Sequence, residues 1–222
     1  QEQGKVGTPE DQAGQFVDVI GANINDVWGA KMNGYTPPKV VIYEQGTGTG
    51  CGYGQAAMGP FYCPNDSTVY IDLSFWQQME QQLDASGADF AKAYVIAHEF
   101  GHHVQTLTGA SQKVRQAQQA ARSQGEANQY SVALELQADC YAGLWAASAA
   151  AASGGEVALE AGEFAEGMKT ANAIGDDTLQ KRGGGRVQPE GFTHGSSAQR
   201  VEWLQRGYKS GDPKQCDTFQ AL

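Results

Sequence analysis

Nothing in this 222-residue chain is a long hydrophobic run. No stretch approaches the roughly 18 consecutive apolar residues that a membrane-crossing helix needs, so no membrane insertion by this chain is expected. Positive charge is also scarce: 15 Lys and Arg stand against 25 Asp and Glu, for a net charge of −10. A surface of that sign repels phosphate backbones and anionic lipid, which argues against nucleic acid or a membrane surface as the partner. No Cys-x-x-Cys pair occurs, which argues against a four-cysteine zinc site. Internal repeats are missing, and alanine tracts are the one compositional bias. With 41% hydrophobic residues the chain has enough apolar material for a sizeable core. It reads as a single domain over 1–222, opening with an N-terminal helical segment over 1–35.

Four cysteines are present. Cys51 and Cys63 bracket the Gly-rich aromatic loop "CGYGQAAMGPFYC", short enough to be closed by a disulfide. That leaves Cys140 with Cys216, which would staple the C-terminal tail to the middle of the fold. The alternative is four buried free thiols. An even count at these spacings favours an oxidising compartment, hence an exported protein. The first residue is Gln1 rather than Met, as expected of a processed or trimmed chain, from which any upstream export signal or anchor would be missing.

The periodicities predict an α+β fold, mostly helical. Phe16, Ile20, Ile24 and Val27 recur at helical spacing in the N-terminal segment. "PKVVIYEQG" reads as a strand, and Gly46 to Gly59 as a loop. "STVYIDLSF" alternates, with Val69, Ile71 and Leu73 on one face and Thr68, Tyr70 and Asp72 on the other. This predicts a half-exposed strand at a sheet edge. A helix follows from an Asp89 cap to a Gly109 stop. A second runs from about Asn128 through Ala149, a third over "EVALEAGEFAEGMKTANAIG", and a last over "SSAQRVEWLQRGYK", capped by Ser196 or Ser197.

The chemistry begins at "IAHEFGHHVQ". His98 and His102 lie four residues apart in a helical stretch. On a helix that spacing stacks the side chains on one face, about 5–6 Å apart, where both imidazoles can reach one ion. Glu99 is rotated by about 100° from His98, so it sits beside the ion rather than on it. There it can take a proton from an attacking water and pass it to a leaving amine. The HExxH spacing is thus set by the chemistry it serves. A catalytic zinc site needs a third protein ligand and one open position. Position 108 is Thr108, which rules out the metzincin continuation. His103 points away by about 100° and cannot share the ion, so it is assigned a polar contact on the helix flank.

The candidate third ligand lies in "LELQADC". Glu135 and Asp139 are four apart, on one helical face, among Ala133, Leu134, Leu136 and Ala138. A carboxylate pair in apolar surroundings needs a cation. Glu135 can bind zinc, and Asp139 can accept a hydrogen bond from the free ring nitrogen of a histidine ligand. His194, just before the last helix, can donate to the oxyanion formed as water attacks a carbonyl, or serve as a helix-entry histidine. Arg200 can pair with Asp139 or position a substrate carboxylate. Asp176 and Asp177 are expected to cap or turn the chain rather than bind metal.

The segments "AHEFGHHVQ", "ELQADC", "GPFYCPNDSTVYID" and "FTHGSSAQRVEWLQRGY" together resemble the putative neutral zinc metallopeptidase family of bacteria. The resemblance covers about 39–219, the expected catalytic core. It implies a gluzincin-like zincin: one zinc per chain on His98, His102 and Glu135, Glu99 as base, and a small sheet whose edge strand flanks the active-site helix. Such an edge pairs with extended substrate backbone, a role that falls to Thr68–Leu73 in this chain. "ELQAD" also resembles membrane-associated peptidases that process prenylated or misfolded proteins. In those a His-Pro step follows, where this chain has His194-Gly195. Family members often carry an N-terminal anchor ahead of an exported domain. The function expected is hydrolysis of peptide bonds in a peptide or protein substrate. The rivals are a catalytically silent zinc-braced binding module and a zinc amidohydrolase acting on a non-peptide amide.

Overall fold

The computed structural model describes residues 5–7, 12–44, 46–55, 59–72, 89–157, 161–220 and 222. In chain order the strands are β1 (Lys5–Gly7), β2 (Lys39–Glu44), β3 (Gly46–Thr49), β4 (Gly52–Gln55), β5 (Phe61–Cys63) and β6 (Thr68–Asp72). The helices are α1 (Gln12–Lys31), α2 (Asp89–Thr108), α3 (Ala110–Gln119), α4 (Gln124–Ala152), α5 (Ala161–Ala173), α6 (Asp176–Arg182) and α7 (Ser197–Ser210). The fold is α+β, and mostly helical.

One mixed sheet has the order β1-β2-β6-β5. Strands β2 and β6 run parallel, in register from Lys39↔Thr68 to Tyr43↔Asp72. Strands β1 and β5 are antiparallel to their neighbours. Thr68–Asp72 is therefore an interior strand, and all five of its residues are buried. This corrects the half-exposed edge expected from its alternation. Val69 and Ile71 face the main core. The opposite face is covered too, because Tyr70 packs with Tyr43 and Cys63 and stacks on Phe61 at 5.0 Å. The face that alternation assigned to solvent is thus covered at Tyr70 by a second, smaller cluster. Leu73 lies outside the described residues. The strand at the sheet edge beside α2 is β5.

The Gly-rich segment read as a loop contains the β3–β4 hairpin. The Cys51–Cys63 disulfide ties that hairpin to β5. The Cys140–Cys216 disulfide closes a loop of 76 residues between α4 and the tail. In the chain-entropy view a loop of that length stabilises by roughly 4 kcal/mol. Ser196 caps α7 in a reciprocal box with Gln199. Residues Asp176 and Asp177, expected to cap or turn the chain, form the acidic first turn of the short helix α6.

The core lies where α1, α2 and α4 meet the sheet, with Trp28, Phe100, Ile71 and Leu144 fully buried. Helix α7 approaches α4 backbone to backbone. A Cβ on Gly207 would fall on the Cys140 carbonyl oxygen, and one on Gly143 would fall on the Leu204 carbonyl oxygen. These two glycines bring α7 close enough for Arg200 to reach Asp139. Gly207→Ala should therefore cost about 3 kcal/mol by forcing the helices apart. In the oxidised protein this is measurable as a fall in Tm of roughly 6–12 °C.

Candidate metal centre

Helix α2 is buried on most of its circumference, so its polar side chains must satisfy one another rather than water. His98 and Glu99 are buried, and His102 is half-buried. The imidazole rings of His98 and His102 stand at right angles with centroids 4.8 Å apart. Across from them α4 presents Glu135. Its Oε2 lies 2.9 Å from His98 Nε2 and 2.8 Å from His102 Nε2. Among the described residues this is the group of His, Cys and carboxylate atoms that can hold an ion, all within 4.8 Å of one another. Tetrahedral zinc, with bonds of about 2.0–2.2 Å, sets its ligand atoms roughly 3.4 Å apart, a spacing of the same order.

What makes the group fit a cation is the state of its nitrogens. His98 Nδ1 lies 2.8 Å from Asp139 Oδ1. Burial alone would raise Asp139, but the Arg200 and His98 charges outweigh it and hold that carboxyl at about 2. Asp139 is thus ionised and can only accept, so His98 Nδ1 carries a proton and donates. His102 Nδ1 lies 2.8 Å from Gln105 Oε1. The amide of Gln105 has one orientation, because its Nε2 must donate to the Leu134 carbonyl and to Gln137. His102 Nδ1 therefore donates as well. In each neutral ring Nε2 is then the nitrogen left with a lone pair for a metal ion, and both Nε2 atoms face one carboxylate oxygen. At such distances a positive charge must lie among the three atoms, either a metal ion or protons on the ring Nε2 atoms that donate to Glu135.

The charges respond accordingly. Burial pulls His98 down, but Asp139 and Glu135 carry it up to about 10. His102 is also raised, with Glu135 overcoming burial. Burial opposes ionisation of Glu135, yet the His102 and His98 partners hold it well below the usual carboxylate range. Glu99 goes the other way. Burial pushes its carboxyl up, partly offset by the charges of His102 and His98.

Asp139 is the hub behind the site. Arg200 donates to it from Nε at 2.8 Å and from Nη2 at 3.1 Å, and the Tyr94 hydroxyl donates to Oδ1. Arg200 is itself buried and also reaches the Ile174 carbonyl at 3.3 Å. Of its two expected roles, pairing with Asp139 is the one the structure shows.

His194 stands at the cleft mouth, with its side chain 52% exposed and Nε2 3.7 Å from Glu135 Oε1. Its loop hangs on Asp176, whose Oδ2 accepts from the backbone amides of Thr193 at 2.9 Å, His194 at 2.7 Å and Gly195 at 2.8 Å. The Asp176 hydrogen bond leads the upward shift of His194, against burial. Asp177 accepts from the Ser197 amide at 2.7 Å, so this acidic pair turns the chain and also sets where His194 stands.

His103 is buried and serves a different neighbour. Its Nε2 donates to the Thr36 carbonyl at 2.7 Å, and the Tyr62 hydroxyl donates to Nδ1 at 2.9 Å. Burial lowers His103, which keeps it neutral and its Nδ1 an acceptor. Edge strand β5 is thereby pinned to α2 beside the cleft. Gln105, Tyr94 and Tyr62 did not emerge from the sequence. Only Gln105 left a trace, an amide three residues past His102 and so on the same helical face.

A family model described as putative neutral zinc metallopeptidase matches residues 1–219, which takes in α1 as well as the core. The uncharacterized protein YpfJ of Escherichia coli strain K12 is 53% identical over 214 residues, covering 95% of this chain and 72% of its own length. The uncharacterized protein Rv2575 of Mycobacterium tuberculosis strain H37Rv is 44% identical over 211 residues, 92% of this chain and 70% of its own. No solved structure matches.

If Asp139 fixes the His98 tautomer, Asp139→Asn should weaken zinc binding by about 10–100-fold, read by competition with a chelator. Leaving Arg200 buried without its anion should also cost about 3–5 kcal/mol in urea unfolding.

Proposed function

This chain belongs to the putative neutral zinc metallopeptidase family, and on that premise we propose that it is a zinc-dependent endopeptidase acting on extended polypeptide. The observation that carries this reading is the convergence of two imidazole Nε2 atoms and one carboxylate oxygen, with a buried carboxylate that is not part of the group beside them. His98, His102 and Glu135 would hold one zinc ion. Bound there, zinc lowers the pKa of water towards about 7 and polarises the carbonyl under attack.

The rest is work for the protein's own side chains. Glu99 lines the same recess as His98, His102 and Glu135. Its raised carboxyl suits a group that accepts a proton from water and returns it to the leaving amine. His194, exposed at the mouth and held by Asp176, is placed to donate to the oxygen that gains charge. Strand β5 lies along the cleft, with Gly59, Pro60, Phe61 and Tyr62 on its rim. It takes the place assigned from sequence to Thr68–Leu73 as the edge against which substrate backbone would lie.

Two disulfides support an exported setting, where thiols oxidise and stay oxidised. No helix among the described residues is long and apolar enough to cross a membrane. The partner in this reading is a peptide or protein, in keeping with the net charge of −10 that disfavours nucleic acid.

Zinc content and cleavage of an unfolded protein test the reading together. Wild type should hold about one zinc per chain and cleave. Glu99→Gln should hold the same zinc and lose at least about 100-fold in rate. Wild-type protein that binds zinc yet cleaves no peptide bond in a broad library would favour a zinc-braced binding module instead. Turnover confined to non-peptide amides would favour an amidohydrolase.

A further inference from the structure

The centre is flanked by two recesses of about 390 and 360 Å³, which share Tyr62, His102, Glu135 and His194 as their common border. A chain lying across the centre therefore places one side chain in each. Their chemistry differs. The first recess is walled by Pro60, Phe61, Val95, Ile174 and Leu179. Leu179 is 36% exposed, a large apolar side chain with an uncovered face at this wall. The wall suits a large apolar side chain.

The second recess has Val114 and Leu134 at its base, the hydroxyls of Ser111, Ser131 and Thr193 around it, and Arg115 on its rim. Apart from Glu135 no carboxylate lines it. Arg115 is exposed, and among the described residues it has no carboxylate partner. The sequence around it is unusual for so acidic a chain. Residues 100–125 contain no Asp or Glu, yet carry Lys113, Arg115 and Arg122. Helix α3 carries Lys113 and Arg115 and no acidic residue, and of the three cations Arg115 is the one that lines the second recess, in a protein whose net charge is −10. That local field favours a negative group in the second recess.

We propose that the cleft is polarised: Arg115 on α3 receives a substrate carboxylate in the second recess, while Leu179 and Val95 receive a large apolar side chain in the first. The carboxylate is an Asp or Glu side chain or the substrate's own C-terminus. This rests on the peptidase reading, so its test separates binding from turnover.

The probe is the zinc-loaded Glu99→Gln protein with fluorescent peptides. One set is capped at both ends, holds a Leu fixed, and walks Asp, Asn or Lys along both sides of it. A second set ends in a free carboxylate, with no acidic side chain. Some register should bind Asp roughly 5–10-fold more tightly than Lys, an advantage that shrinks in about 1 M salt. Adding Arg115→Glu should invert that order, and adding Leu179→Ser should weaken only the peptides that carry the Leu. Preference within the capped set identifies a side-chain carboxylate, and preference confined to the free-acid set identifies the chain terminus. Equal binding of Asp, Asn, Lys and free-acid peptides, an order that Arg115→Glu leaves unchanged, or no binding at all overturns the proposal. If the preference is present but wild type cleaves none of these peptides, the recess assignment stands and the peptidase reading falls.

Discussion

The carboxylate of Asp139 is the constraint on which both the fold and the site depend. It is fully buried, and a lone carboxylate there would take up a proton rather than stay charged. It remains ionised because donors from two other helices close on it: His98 and Tyr94 from α2, and Arg200 from α7. Arg200 can arrive only because Gly143 and Gly207 let α4 and α7 touch through their backbones. The tautomer of His98 follows from the same charge. One anion thus joins three helices and turns a ring nitrogen towards the cleft.

The two histidines are backed unequally. His98 leans on an anion, whereas His102 leans on the neutral amide of Gln105. That amide is steered by Gln137, which in turn donates to the Cys216 carbonyl at 3.0 Å. Cys216 is the tail half of a disulfide whose other half, Cys140, follows Asp139 in the chain. The second disulfide acts on the opposite rim. It ends at Cys63, next to Tyr62, which His103 holds against α2. Each cross-link therefore braces one side of the cleft. A basicity difference between the two imidazoles follows from their different backing.

What could be seen in the sequence depended on how local its cause was. The placement of His98, Glu99 and His102 on one helix was legible because a helix fixes the geometry of residues four apart. Glu135 and Asp139 were legible as a pair that needed positive charge, since they sit in an apolar stretch. That Asp139 finds the Arg200 guanidinium 61 residues away was legible only as one of two roles for that arginine, because packing of α4 on α7 rather than local sequence creates the contact. The same holds for Asp176, whose bonds to the 193–195 amides cross 17 to 19 residues. In the sheet, alternation in Thr68–Asp72 was real but misread. Period two reports two different faces, and it cannot say whether the second meets water or, as in this sheet, Tyr43 and Cys63. The Gly-rich hairpin was hidden for a different reason: Gly alternates with Thr47, Thr49, Tyr53 and Gln55 in β3 and β4, but glycine is depleted from strands and so reads as loop.

The bracing also bears on what a bound ion would do. In a purely structural zinc site, binding supplies the folding energy, and the ligands have no arrangement without it. In this protein the orienting contacts are made among the chain's own atoms: Asp139 with Arg200 and Tyr94, Gln105 with Gln137, Asp176 with the His194 loop. The core of α1, α2, α4 and the sheet closes over Trp28, Phe100 and Leu144 without calling on the histidines. Two disulfides add to it. A site oriented by its own outer layer of contacts does not need the ion as a brace. Glu99, the other buried carboxylate beside the site, is not among the contacts named in this network. That combination supports the preorganised catalytic centre proposed above over a structural brace.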